Sequence, residues 1–185
     1  MRNLLVVLSG PSGVGKGTIA KKLVEKESDF ALSISCTTRK ARRGEVDGRE
    51  YFFLSKESFL EKKENNGFLE YSEHFENYYG TPKDFVMQKL GEKDVILEID
   101  VNGGLNVKKN FPEAVLIMIA PPSREEVKRR LIKRNTESLE KIELRLKRMD
   151  FELEKQSEYD YTVVNDDLNK TVDKIIEIIK KEKNR

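Results

Sequence analysis

The sequence predicts an α/β fold, a parallel sheet with helices on both faces, and three observations carry that reading. The run Leu4-Leu5-Val6-Val7-Leu8 is apolar without interruption, which suits a strand buried on both faces. Further apolar runs at residues 30–34, 95–99, 114–119 and 161–164 are mostly separated by segments with helical spacing. Strands alternating with helices build a parallel sheet covered on both sides. Between the first strand and the first helical pattern lies Ser9-Gly10-Pro11-Ser12-Gly13-Val14-Gly15-Lys16-Gly17-Thr18, followed by Ile19-Ala20-Lys21-Lys22-Leu23-Val24.

Strand, glycine-rich turn and helix are the context of a phosphate-binding loop, so the expected sheet is of the P-loop NTPase type. Gly10, Gly13, Gly15 and Gly17 let the backbone approach an anion, because no Cβ stands in the way. Pro11, Ser12, Val14 and Thr18 complete the loop and the helix start. That helix start presents unpaired N–H groups and a positive dipole end. Lys16 adds a full charge for the β- and γ-phosphates. The usual motif has Ser or Thr directly after the lysine as a Mg²⁺ ligand. Here Gly17 holds that position, and Thr18 lies one helical step further round. A glycine-rich turn without function is the bland alternative, and the spacing with both flanks favours the loop.

The 185 residues suffice for one domain with a real core. Basic residues number 35 against 33 acidic, so bulk charge gives no reason to expect a nucleic acid or an anionic membrane as partner. The abundance of Lys and Glu is compatible with a heat-adapted source. No apolar run reaches the length of a membrane span, and no signal peptide is expected. Cys36 is the single cysteine, which excludes an internal disulfide and fits a reducing, cytoplasmic setting. It reads as a buried small thiol rather than a nucleophile.

In chain order, Ser123-Arg124-Glu125-Glu126 is a capping box opening a helix to about Arg134. Ser138 caps a second helix, expected to run to about Gln156. Val172, Ile175, Ile176 and Ile179 form the stripe of the last helix, and residues 180–185 are expected to be a frayed, solvated end. Residues 35–81 break the alternation. They hold Tyr51-Phe52-Phe53-Leu54, a short helix over 55–64, Phe68-Leu69-Glu70-Tyr71, and a turn expected at Asn77-Tyr78-Tyr79-Gly80. Short aromatic strands around one helix imply a small mixed α+β subdomain. Inserted near the carboxyl ends of core strands, it would sit where open α/β sheets bind ligands.

Taken together, several motifs resemble the guanylate kinase family. They are the loop at 10–18, Ser33-Ile34-Ser35-Cys36-Thr37-Thr38-Arg39, Arg42-Arg43-Gly44-Glu45 and Gly48-Arg49-Glu50-Tyr51-Phe52-Phe53. Phe68-Leu69-Glu70-Tyr71, Asn77-Tyr78-Tyr79-Gly80-Thr81, Ile99-Asp100-Val101-Asn102-Gly103 and Ala120-Pro121-Pro122-Ser123 continue the series, and the likeness runs to Val164-Asn165-Asp166-Asp167-Leu168. The loop alone is common to many nucleotide enzymes; the Ser-x-x-Thr-Thr-Arg run and the Asn-Tyr-Tyr-Gly segment are more specific. The resemblance implies transfer of the terminal phosphoryl group of ATP to GMP, giving ADP and GDP, in nucleotide recycling. Mg²⁺ accompanies ATP as co-substrate, and dGMP is a further acceptor. It implies one domain over 1–185, with a core at 1–34, 82–123 and 151–185, a nucleoside-monophosphate-binding insert at 35–81 and a helical lid at 124–150.

The resemblance assigns Arg39, Arg42, Tyr51 and Tyr79 to the GMP phosphate. The chemistry agrees: guanidinium forks and phenolic hydroxyls suit a phosphate dianion, although an Arg-rich loop read by composition alone is a solvated surface. Arg43 lies outside the matched set. Glu70 matches the acceptor for the guanine donor edge, with Ser35 and Thr81 at the hydroxyl positions. Adenine, lacking the N1 proton, would leave Glu70 unpaired, and such a site rejects the wrong base by roughly 10⁴-fold. Asp100, at the end of a core strand, can orient Mg²⁺ water or the acceptor nucleotide. With Gly17 in the loop, Mg²⁺ is expected to be held mainly by phosphates and water, with Thr18 or Asp100 as the protein contributors.

Residues 124–150 carry ten basic and six acidic side chains, much of it a solvated helical face. The family closes arginines of this region on the transferring phosphoryl. Arg134 and Arg145 match those positions, with Arg130 and Arg148 as weaker candidates. Asn165 matches a residue near the ATP adenine, and His74, the single histidine, reads as a surface residue. Two other classes remain. A non-catalytic peptide-binding module of scaffold type would lack Lys16, Arg134 and Arg145. A kinase for another nucleoside monophosphate would lack the Glu70 and Ser35 pattern.

Overall fold

The computed structural model describes residues 2–74, 76–134 and 138–185, with the side chains of all of these except His74, Arg130 and Arg134. β1 (Leu5–Ser9) leads through the glycine-rich loop into α1 (Lys16–Lys26) and β2 (Phe30–Leu32). There follow β3 (Cys36–Thr37), β4 (Phe52–Phe53), α2 (Lys56–Glu64), β5 (Phe68–His74) and β6 (Asn77–Pro82). The chain then alternates through α3 (Lys83–Leu90), β7 (Asp94–Glu98), α4 (Val101–Asn110) and β8 (Val115–Ala120). Two helices, α5 (Arg124–Arg134) and α6 (Leu139–Leu153), precede a 3₁₀ turn, β9 (Tyr161–Val164) and α7 (Leu168–Lys183).

The apolar runs form one sheet of five parallel strands in the order β2-β7-β1-β8-β9. Alternation along β1 explains why its run is apolar throughout. Leu4, Val6 and Leu8 enter a cluster with Ile19 and Leu23 of α1 and Ile175 and Ile179 of α7. Leu5 and Val7 point the other way, among Val86 of α3 and Val101 and Val107 of α4. Each such side chain, fully buried, stabilises the fold by about 1.5–3 kcal/mol before the entropy cost is subtracted.

A second sheet, β4-β3-β6-β5, is mixed: β3 pairs parallel with β4 and antiparallel with β6, and β5 pairs antiparallel with β6. Cys36, Phe59 and Phe68 form its own apolar cluster, with Phe59 stacked on Phe68 at 4.4 Å between ring centres. Burial raises the Cys36 thiol to about 11, in keeping with an inert packed thiol. Leu69 instead joins the core cluster against α4, and Asn110 Nδ2 donates to its carbonyl at 2.8 Å. A fourth cluster, Val127, Leu131, Ile142, Leu146 and Met149, joins α5 to α6. Ion pairs among Arg124, Lys128, Glu143 and Asp150 line that helix pair in solvent, where such pairs contribute little. The serine half of the capping box is present: Glu126 N–H donates to Ser123 Oγ at 3.1 Å, while both oxygens of the Glu126 carboxylate accept from Arg129 at 2.8 Å.

Two expectations are corrected. Asn77-Tyr78-Tyr79-Gly80 is not a turn but the body of β6, paired to β5. Tyrosine favours a pleated surface, and Gly80 is there for packing, since a Cβ would stand 2.9 Å from Phe68 Cδ1. The C-terminal residues are not frayed, although Lys180, Lys181, Asn184 and Arg185 are exposed. α7 runs to Lys183, whose ammonium pairs at 2.8 Å with the buried carboxylate of Asp94. Glu182 accepts from the Tyr161 hydroxyl. A buried carboxylate at the foot of β7 demands such a partner.

Candidate active site

The loop after β1 wraps the N-terminus of α1. Gly15 caps that helix at φ +97°, a left-handed conformation that favours glycine, and a Cβ there would reach within 2.9 Å of Asn165 Nδ2. Asn165 is buried and donates to the Val14 carbonyl at 2.7 Å, so the end of β9 clamps the loop. Lys16 folds back over the loop, donating to the carbonyls of Gly10 at 2.5 Å and Pro11 at 3.2 Å. Withdrawal from water holds its ammonium below the usual range, and Glu98 is the largest charge opposing that shift, ahead of Glu152 and Asp100. Glu98, the last residue of β7, also lies against Gly17: a Cβ on Gly17 would be 3.2 Å from Oε2 and 3.4 Å from Oε1. Thr18 is exposed on the first turn of α1.

Beside this loop opens a cleft of about 500 Å³, bounded by Gly10, Ser12, Lys16 and Asp100 on one side and by Leu144, Arg145, Arg148 and Glu152 of α6 on the other. Arg148 pairs with Glu152 at 2.9 Å. The backbone of Arg134 ends α5, and its side chain, like that of Arg130, lies outside the described residues. His74 belongs to β5, with its side chain likewise outside them.

A second pocket, of about 400 Å³, lies between the two sheets. Ser35, Arg42, Tyr51, Glu70, Tyr79 and Asp100 line it, together with Ser72, Gly80, Glu98 and Ile99. Thr81 reaches it through Glu70, donating from Oγ1 to Oε1 at 2.6 Å. Glu70 is 8% exposed, and its carboxyl stands against the first turn of α4, where a Cβ on Gly103 would meet its Oε2 at 3.1 Å. Burial raises Glu70 to about 7, and the nearby charge of Asp100 adds to this, while the Thr81 hydrogen bond works against it. Asp100 caps α4, its Oδ1 accepting from Gly103 N–H at 2.7 Å. It borders both the loop-side cleft and this pocket.

Arg39 is not among the lining residues but lies against both pocket phenols, hydrogen-bonded to Tyr79 and facing the Tyr51 ring. Its two terminal nitrogens each donate to the Glu45 carboxylate at 3.0 Å, and its guanidinium lies 5.5 Å from the Tyr51 ring centre. Glu45 also accepts from the Arg42 backbone N–H at 2.7 Å, so one carboxylate shapes the whole arginine loop. Tyr51 and Tyr79 meet edge to face at 6.1 Å. Tyr159 pins the floor: its hydroxyl donates to the Val101 carbonyl at 2.9 Å, and Ser9 Oγ donates to the Asp100 carbonyl at 3.1 Å.

Sequence reasoning missed Glu45, Ser72, Glu98, Leu144, Glu152 and Tyr159 as parts of this arrangement. Ser72 was legible in principle, two residues beyond Glu70 on the same face of a strand. Glu98 carried a weaker signal, as a charge closing an otherwise apolar strand.

The guanylate kinase family model matches residues 2–182 of the chain. A guanylate kinase from Caldanaerobacter subterraneus subsp. tengcongensis is 54% identical over 185 residues, spanning all of this chain and 90% of that protein. One from Oceanobacillus iheyensis is 50% identical over 182 residues, spanning 98% and 88%. The crystal structure of guanylate kinase from Anaplasma phagocytophilum superposes with a TM-score of 0.78 at 35% identity, covering 98% of this chain and 86% of that one.

Proposed function

The chain belongs to the guanylate kinase family, and from that membership we propose the division of labour by which its residues pass the terminal phosphoryl group of ATP to GMP. The observation that carries it is that two pockets of different chemistry share one wall, Asp100. One pocket is built on a phosphate loop with its lysine. The other offers a buried carboxylate with a hydroxyl at one end and two phenols with arginines at the other.

ATP takes the loop-side cleft. The backbone from Gly10 to Thr18, the start of α1 and Lys16 receive its phosphates, so the bonds that Lys16 makes to Gly10 and Pro11 are exchanged for phosphate oxygens. Asn165 keeps the loop in shape beside the adenine. GMP takes the second pocket. Glu70 accepts from guanine N1–H and N2–H, while Thr81 and Ser35 supply hydroxyls. Arg39, Arg42, Tyr51 and Tyr79 bind its phosphate. A GMP phosphate oxygen then attacks the γ-phosphorus in line and ADP leaves. Catalysis is mostly positioning and charge stabilisation, for which Arg145 of α6 lines the cleft across from Lys16 and Arg134 is the second arginine matched to the family.

The residues fit Mg²⁺ bound with the nucleotide. The Glu98 carboxylate lies against Gly17, and Asp100 lines the same pocket, so two carboxylates stand near Lys16. One or two carboxylates with phosphates and water are how Mg²⁺ is usually held. Bound there, Mg²⁺ would neutralise charge on the β- and γ-phosphates.

Residues 1–34, 82–123 and 151–185 act as the core, 35–81 as the acceptor-binding insert and 124–150 as a lid. The separate apolar clusters under the second sheet and between α5 and α6 support that division. A cytoplasmic setting accords with the buried free thiol of Cys36. The test of the base reading is ADP formation across GMP, AMP, UMP and dTMP. GMP should lead by roughly 10⁴-fold in kcat/KM, and Glu70→Gln should narrow that lead. Equal use of AMP would remove Glu70 as the reader of the base.

A further inference from the structure

Ser72 stands in the acceptor pocket with nothing yet to do. It follows Glu70 by two residues on β5, so both side chains leave the strand on the same face. Across the ladder, Glu70 pairs with Thr81 and Ser72 with Tyr79. The hairpin thus presents two rungs to the pocket. The Glu70–Thr81 rung is the deep one, with Thr81 fully buried and joined to the carboxylate at 2.6 Å. The Ser72–Tyr79 rung lies about 6.6 Å further along the strand, on the side of the Tyr51 ring and the Arg39 fork. No hydrogen bond within the described residues engages the Ser72 hydroxyl, in contrast to the hydroxyl of Thr81.

A purine nucleoside monophosphate laid with its base edge on the Glu70 rung and its phosphate on Tyr51, Tyr79 and Arg42 must pass its sugar over Ser72. We propose that Ser72 is a specificity-determining residue whose hydroxyl meets the ribose 2′-hydroxyl of the acceptor, so that the pocket favours a ribonucleotide over its 2′-deoxy counterpart. The inference rests on the acceptor-pocket reading above and extends it from the base to the sugar. A single neutral hydrogen bond makes the preference modest, about three- to tenfold, so the deoxynucleotide remains a substrate.

The test is kcat/KM for GMP and dGMP in the full chain, the Ser72→Ala variant and the Glu70→Gln variant. The parent should favour GMP by about three- to tenfold. Ser72→Ala should lower kcat/KM for GMP by that factor and leave dGMP unchanged, bringing the ratio close to one. A parent without preference, a ratio that survives Ser72→Ala, or an equal fall for both nucleotides overturns the proposal. Glu70→Gln separates the two levels. If it lowers GMP and dGMP use together, the pocket is the acceptor site and the Ser72 result decides the sugar alone. If it leaves both untouched, the acceptor reading fails and the Ser72 proposal with it.

Discussion

The carboxylate of Glu98 occupies the space that a side chain at position 17 would fill, with Oε2 3.2 Å from where a Cβ on Gly17 would stand. A hydroxyl following the loop lysine and a carboxylate reaching in from β7 are two ways to place an oxygen at the same corner of a phosphate site. Gly17→Ala is expected to crowd the Glu98 carboxylate and shift it by a few tenths of an ångström from its place against the loop. The Mg²⁺ concentration needed for half-maximal rate should rise by about tenfold, with little change in melting temperature. An unchanged Mg²⁺ dependence would show that the corner is merely packed.

Glu70 must be ionised to accept two hydrogen bonds from guanine, yet burial raises it to about 7 in the free pocket. GMP binding near neutral pH is therefore coupled to loss of a proton, and KM for GMP should fall from pH 6 to pH 8 and then level. Stability moves the other way. A carboxyl whose folded value lies above its unfolded value contributes stability that is complete below the unfolded value, near 4.5, and is lost as pH rises through about 7. Relative to Glu70→Gln, the free enzyme should lose about 3 kcal/mol between pH 4.5 and pH 8. A stability difference independent of pH would contradict the buried-carboxyl reading.

The parallel core was legible because burial on both faces leaves a continuous apolar run, as at Leu4 to Leu8, and because caps such as Ser123 announce their helices locally. The base-reading carboxylate and the loop lysine were legible as motif residues. What was not legible depends on contacts between distant segments. Gly103 and Gly104 hide α4, since two glycines argue against a helix. They are there because Glu70, Tyr159 and Ser9 occupy the space their side chains would need. Ser72 and Glu98 acquire meaning only when β5 and β7 are brought to one pocket. The β6 segment reads as a turn because Gly80, which makes room for Phe59 and Phe68, imitates turn chemistry.

The pair between Lys183 and Asp94 closes the foot of the sheet. Asp94 is 1% exposed, and its other oxygen accepts from Leu4 N–H at 2.8 Å. Lys183→Met leaves that carboxylate without its cation and should destabilise the fold by about 2–3 kcal/mol, without altering either KM. Thermal denaturation showing no loss would return residues 180–185 to the status of a solvated end.

Arg145 shares the loop-side cleft with Lys16 and Asp100. A cation set against the transferring phosphoryl acts on charge that spreads in the transition state, so Arg145→Ala should lower kcat by about 10³-fold and change each KM far less. A rise in KM for ATP at unchanged kcat would make Arg145 a clamp for the nucleotide ground state.

Two separable nucleotide sites meet at Asp100. Calorimetric titration of ATP and of GMP into Lys16→Met and Glu70→Gln tests this most directly. Lys16→Met should bind GMP as the parent does while its affinity for ATP falls. Glu70→Gln should bind ATP as the parent does while its affinity for GMP drops by about tenfold or more. Loss of both ligands in either variant, with the fold intact, would contradict the claim.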